Sequence, residues 1–150
     1  MTARRWIRPA SLLILRVGTG LLLVVWGALR VLSPAVGPGL AGKYYGGLFN
    51  LQSIQIIYGV AEVLIGLLVV VGLFRRVSYV LQALILIPGA IVLWRYLLDP
   101  LGLYLLSKQS SQILFFPSIT VAAAALVLLA FKDDDCWSLD RKMMTRGAAQ

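Results

Sequence analysis

Glu62 is the only glutamate in the chain, and it lies inside an apolar run over residues 54–74. Hydrocarbon cannot solvate a carboxylate, so a group there must be neutralised, paired or set in a wet cavity. An unrelieved acid at a helix centre costs roughly 2.5–3.5 kcal/mol. Asp99, Asp133, Asp134, Asp135 and Asp140 all fall outside the apolar runs. The chemistry open to the chain therefore centres on proton exchange at Glu62. Gly59 and Gly66 stand three and four residues to either side and share its helical face, with Tyr58 one turn earlier on the same side. Arg16 is the second charge inside an apolar run. It can either reach toward Glu62, directly or through water, or snorkel to the headgroups. Arg16, Tyr58 and Glu62 are the expected ligand-binding set.

The elements that must position these residues follow from composition. Sixty per cent of the 150 residues are hydrophobic and 13% are charged, and the mean hydropathy is +0.89. These values exclude an ordinary soluble domain and predict an all-α integral membrane protein. Four stretches, 10–32, 53–74, 77–97 and 111–131, are long enough to cross a bilayer as helices at roughly 20 residues each. They predict a single domain over residues 1–150, an antiparallel four-helix bundle with a charged tail over residues 132–150. The first apolar run exceeds the 7–15 residues of a signal peptide and contains Arg16, so it reads as a retained helix.

The net charge of +8 is topological and does not point to nucleic acid. With the N-terminus in the cytoplasm, nine basic residues fall on that side (Arg4, Arg5, Arg8, Arg75, Arg76, Lys132, Arg141, Lys142, Arg146). Four fall on the other (Arg30, Lys43, Arg95, Lys108). That asymmetry predicts both termini in the cytoplasm. Cys136 is the single cysteine and there is no histidine, so an internal disulfide is excluded and the usual haem and metal ligands are missing. No metal site and no covalently bound cofactor is expected.

Smaller signals fill in the rest. Pro9 suits a first helical position. The glycine-, proline- and tyrosine-rich connection over residues 33–52 reads as non-helical, with its aromatics at the headgroup zone. Arg75 and Arg76 form a short turn that makes the second and third helices antiparallel neighbours. Pro88 and Gly89 predict a kink in the third helix near the depth of Glu62, where a freed carbonyl would be a partner for it. Arg95 and Asp99, four residues apart, suit an ion pair. Alanines 122–125 suit tight packing in the fourth helix, and the tail is expected on the cytoplasmic surface.

Three segments, LRVGTGLLLVVWGALRV (15–31), GVAEVLIGLLVVVGLFRR (59–76) and WSLDR (137–141), together resemble the DoxX/DoxD family of small bacterial membrane proteins. The resemblance covers most of the chain and implies a four-helix protein of the bacterial inner membrane. It implies an accessory role in quinone-linked or thiol and oxidative-stress oxidoreductase systems. Arg16, Glu62 and Arg75 are the positions that match the family pattern. On this reading the chain is at most a subunit of an enzyme, working with a redox partner protein and a quinone. The alternative readings are a proton-coupled carrier or channel subunit, which with four helices would call for a homo-oligomer, and a non-catalytic scaffold.

Overall fold

The computed structural model describes residues 3–33, 35–44, 46, 51–106, 115 and 117–147. Its elements are α1 (Ala3–Leu32), α2 (Val36–Tyr44), α3 (Gln52–Val71), α4 (Arg75–Val92), α5 (Trp94–Leu98), α6 (Ser118–Ala130), a 3-10 turn (Lys132–Asp134) and α7 (Leu139–Gly147). No strand occurs among the described residues. The helices α1, α3 and α4 are each long and apolar enough to cross a membrane. The ring of contacts runs from α1 to α3, α3 to α4, α4 to α6 and from α6 back to α1. At 13 residues, α6 is shorter than the expected fourth span, and residues 111–114 and 116 of that span lie outside the described residues.

The long helices are apolar on their outer faces, and the interior holds polar and charged side chains beside a small apolar core. Ile14, Leu64, Leu84 and Ile91 are exposed, whereas Arg16, Thr19, Arg30, Glu62, Ser78 and Gln82 are buried. Water as solvent would select the reverse; hydrocarbon selects this arrangement, because polar side chains then find partners only in the bundle interior.

The α1–α3 pairing sets the register of the whole bundle. A side chain on Gly20 would meet the Gly66 carbonyl, and one on Gly66 the Gly20 carbonyl. Gly27 and Gly59 repeat the relation seven residues on, and all four contacts are under 3.0 Å. Backbones this close leave no room for a Cβ, and they gain van der Waals contact and weak Cα–H···O bonds in return.

The turn between α3 and α4 is built by residues far apart in sequence. Gly72 ends α3 in the left-handed region at φ 73°, its N–H bonding the Leu68 and Val69 carbonyls. A Cβ there would also collide with the Arg16 guanidinium and with Ser138. Phe74 is left-handed too, at φ 50°, the only non-glycine so placed among the described residues. Asp140 stabilises it, accepting from the Phe74 N–H at 3.0 Å and the Arg75 N–H at 2.8 Å. The GLF–Arg turn and the SLD segment of the tail are thus one structural unit.

Four expectations about the elements need correction. The first helix begins at Ala3 and carries Pro9 inside it; the proline lies near enough to the start that it leaves just one early carbonyl without its donor. The connection over residues 33–52 contains a helix, α2, because Gly37 lies flush against Gln55 and Ala41 is buried; docking on α3 overrides the weak helix propensity of glycine. The third helix runs through Pro88 and breaks at Leu93, where the chain tightens with Leu93 N–H bonding the Ala90 carbonyl. Pro88 faces outward, so the chain there is not aimed at Glu62. The tail is at the surface only in part: residues 141–145 are exposed, but Asp135 and Ser138 are fully buried in one end of the bundle. Tyr45, Phe49 and Lys108 of the predicted loops lie outside the described residues.

Candidate functional site

Two buried ionic networks occupy opposite ends of the bundle. The first holds Glu62. Gln55, Tyr58 and Glu62 follow one another at spacings of three and four along α3, so helix geometry stacks them on one stripe. Arg30 approaches them from the last turn of α1, because the Gly27–Gly59 contact brings the two backbones together one turn away. Its Nε donates to Glu62 Oε2 at 2.9 Å, and its Nη1 donates to Gln55 Oε1 at 2.5 Å. The guanidinium also lies 5.0 Å from the centre of the Tyr58 ring, so Arg30 touches both the phenol and the carboxylate. Glu62 is 3% exposed, whereas Tyr58 is 39% exposed. The phenol is therefore the open end of a group held together by Arg30, and its closed end is the carboxylate. Glycine 37 of α2 closes over Gln55 from the outside. Tyr44 at the end of α2, Tyr96 of α5 and Phe115 form a cluster of edge-on rings 4.8–5.5 Å apart.

The second network is assembled at the end where the tail docks. Arg16 Nη1 donates to Asp135 Oδ2 at 2.9 Å, and Arg16 Nη2 to the Trp137 carbonyl at 3.2 Å. The Tyr79 hydroxyl donates to the same Asp135 oxygen at 2.6 Å. Arg75 Nη1 donates to the Lys132 and Asp135 carbonyls, and its Nε stands 3.6 Å from Asp140. Beneath these groups lies a small core of Leu12, Val69, Tyr79 and Leu128. One side of the network is incompletely satisfied: Arg16 Nε, Asp135 Oδ1 and both amide atoms of Gln82 find no hydrogen-bond partner among the described residues. Each such atom costs about 1–3 kcal/mol if left dry.

The predicted site residues therefore divide. Tyr58 and Glu62 meet as expected. Arg16 neither meets Glu62 nor snorkels, because the folded-back tail brings Asp135 to it and both side chains are sealed from solvent. Arg30, read from sequence as a basic residue at the far side, is the partner of Glu62. Asp135, Tyr79 and Gln82 escaped the sequence reading. Arg95 and Asp99 do not pair: Asp99 turns to the backbone N–H groups of Leu103, Tyr104, Leu105 and Leu106 at 2.7–3.0 Å, and Arg95 lies over the Trp94 ring. Burial alone would raise the Asp99 carboxyl, but those four donors outweigh it and hold the group well below the usual carboxylate range.

Among the described residues no cluster of three or more acidic, cysteine or histidine side chains is placed to hold a metal. Cys136 is exposed and its thiol turns to the Asp134 carbonyl. Shallow grooves on the outside of α1 and α3 are lined by apolar side chains such as Val31, Val60 and Leu64, and neither Glu62 nor Tyr58 lines them. No protein-family model, curated protein or solved structure matches the chain.

Proposed function

We propose that the chain is an accessory subunit of a membrane oxidoreductase system, in which Tyr58, Glu62 and Arg30 exchange protons with a small ligand of quinone type. The supporting observation is the difference in exposure between the two groups that Arg30 holds. A carboxylate at 3% exposure and a phenol at 39% share Arg30, so a ligand arriving from the bilayer meets Tyr58 first. The phenol gives its proton to a ligand oxygen as that oxygen gains negative charge, and the phenolate is reprotonated through Glu62 after the carboxylate has itself taken a proton from water. Arg30 stabilises the anion left on Glu62 at each cycle. The redox assignment rests on the resemblance to the DoxX/DoxD family. With no metal cluster among the described residues and no histidine in the chain, the electrons would come from a partner protein.

In this reading α6 belongs to the fourth span, the basic excess at the tail end supports a cytoplasmic tail, and the bacterial setting rests on the family resemblance. A second reading is favoured by one observation: Gly27 and Gly59 wedge α1 against α3 one turn from the Arg30–Glu62 pair. A pair so placed can act as a register lock with no ligand at all.

Gentle purification of the wild type and of Glu62→Gln, followed by mass spectrometry of bound small molecules and proteins, separates the two. The redox reading expects a quinone or redox partner with the wild type that is lost from a folded Glu62→Gln protein. Identical ligand-free preparations leave the register lock.

A further inference from the structure

Gln82 is fully buried in α4, and neither its amide oxygen nor its amide nitrogen has a protein partner among the described residues. Its position is more informative than its isolation. Tyr79, one turn earlier on the same face, is bonded to Asp135 and through it to Arg16. Tyr79 shares a buried cluster with Val69 of α3. From that level Gln82 lies three residues further along α4, about 4.5 Å, and Glu62 seven residues further along the antiparallel α3, about 10 Å. Gln82 thus stands between the two ionic networks in depth, roughly 6 Å short of Glu62. Of the three other orphaned polar atoms of the tail-end network, Asp135 Oδ1 and Arg16 Nε belong to groups beside Tyr79, and the third is Arg75 Nε.

We propose that Gln82 holds ordered water in a polar file that joins the Asp135–Tyr79–Arg16 network to Glu62–Arg30. A buried amide can donate to one water and accept from a second that touches the first, which fixes the file in place while the protons hop from water to water beside the amide. Asp135 Oδ1 accepts from the first water and Arg16 Nε donates to it. The file's chemistry is proton relay. One proton enters at the Asp135 water, each hop breaks one O–H bond and forms one, and one proton leaves at Glu62. No electrons move. Arg16, Arg75 and Arg30 keep the carboxylates at both ends balanced in charge, so the file carries protons between two neutralised termini. The relay rests on the reading of Glu62 as a proton-exchanging group and supplies it from the tail side; the water site does not depend on that reading.

Hydroxyl-radical footprinting of the full chain in phospholipid nanodiscs reads the water directly, because radicals made from internal water oxidise the side chains beside it. Tyr79, which is buried, is expected to be oxidised in the wild type. Gln82→Leu and Gln82→Met are expected to lose that oxidation, while exposed Tyr104 is unchanged. An untouched Tyr79 in the wild type overturns the proposal, as does oxidation that persists in both folded variants. Thermal unfolding gives a second reading: a dry orphaned amide would make both apolar variants more stable than the wild type. The relay is read in vesicles of phosphatidylcholine and phosphatidylglycerol loaded with a pH-sensitive dye. After an external acid step the lumen should acidify more slowly with Gln82→Leu than with the wild type; equal rates overturn the relay. Loss of Tyr79 oxidation in the Gln82 variants, beside a Glu62→Gln protein that keeps its ligand, would remove the redox reading and leave the water file. The converse pattern would remove the file alone.

Discussion

The two ends of the bundle bury arginine–carboxylate pairs of the same length, 2.9 Å, yet hold them in different ways. At the tail end the carboxylate arrives on a segment with no membrane-spanning role. Asp135 accepts from Arg16 and Tyr79, and its neighbours Lys132, Trp137 and Asp140 lend carbonyls and a carboxylate to Arg16, Arg75 and the start of α4. Remove the tail and Arg16 and Arg75 lose most of their partners. At the Glu62 end both partners belong to spanning helices, and a half-exposed tyrosine joins them. The first arrangement joins the ends of four helices into one closed unit. The second leaves an open edge. The two ion pairs are both buried, and they differ in what surrounds them: a folded-back tail at one end, a half-exposed tyrosine at the other.

The largest effect is expected from breaking the enclosed pair. Arg16→Leu leaves Asp135 buried with only a phenol to balance it, and should cost about 3–5 kcal/mol in detergent unfolding. Arg16→Leu with Asp135→Leu should recover much of that loss, because no uncompensated charge remains. If single and double variants unfold alike, the tail end is not held by charge.

The helix contact that positions the open pair comes next. Gly27→Val pushes a branched side chain into the Gly59 carbonyl and the Glu62 side chain. Overpacking of this kind costs about 1–3 kcal/mol, and here it should also separate Arg30 from Glu62. Loss of stability with ligand binding intact would detach the glycine contact from the site.

Glu62→Gln should be milder in stability and more severe in function. The amide still accepts from Arg30, so the expected cost is about 1–2 kcal/mol, the difference between a charged and a neutral hydrogen bond. An unfolding loss as large as that of Arg16→Leu would make the two ends equivalent and erase the contrast between them.

The smallest effect belongs to Asp99, outside both networks. Its folded carboxyl is held below its ordinary value of 3.8. The stability gained from its ionised form is present above that value and is lost as pH falls below it toward the depressed one. The turn over residues 99–106 should therefore keep its amide protection at mildly acidic pH and lose it only in strong acid. Asp99→Asn should abolish that dependence in hydrogen-exchange measurements across the acid range.

The helical reading came from the length of the apolar runs, and α1, α3 and α4 follow them closely. Glu62 was legible as a site candidate because it is the one glutamate and stands among apolar residues. Tyr58 was legible through its spacing. Arg30 was harder to see: it stands near the end of an apolar run, where arginines commonly reach to headgroups. Only the register set by Gly20, Gly27, Gly59 and Gly66 turns it inward. Asp135 was hidden by its surroundings, since DDDC followed by WSLDR looks like a solvated tail until α6 and the 3-10 turn direct it back into the bundle. The glycine and aspartate of GLF and SLD could be read as motifs, but their reason is a collision and a cap made across more than 60 residues of sequence.

By itself the sequence determined the solvent and the long apolar helices. Hydropathy acts locally, so a run of apolar residues fixes a helix and its surroundings without knowing its neighbours. The tertiary structure decided the pairings: Arg16 with Asp135, Arg30 with Glu62, Asp99 with a backbone loop, and Gln82 with no protein partner among the described residues. A charge in an apolar interior must find a counter-charge, but which one it finds depends on helix register and on where the tail folds, and both arise from contacts between residues remote in the chain.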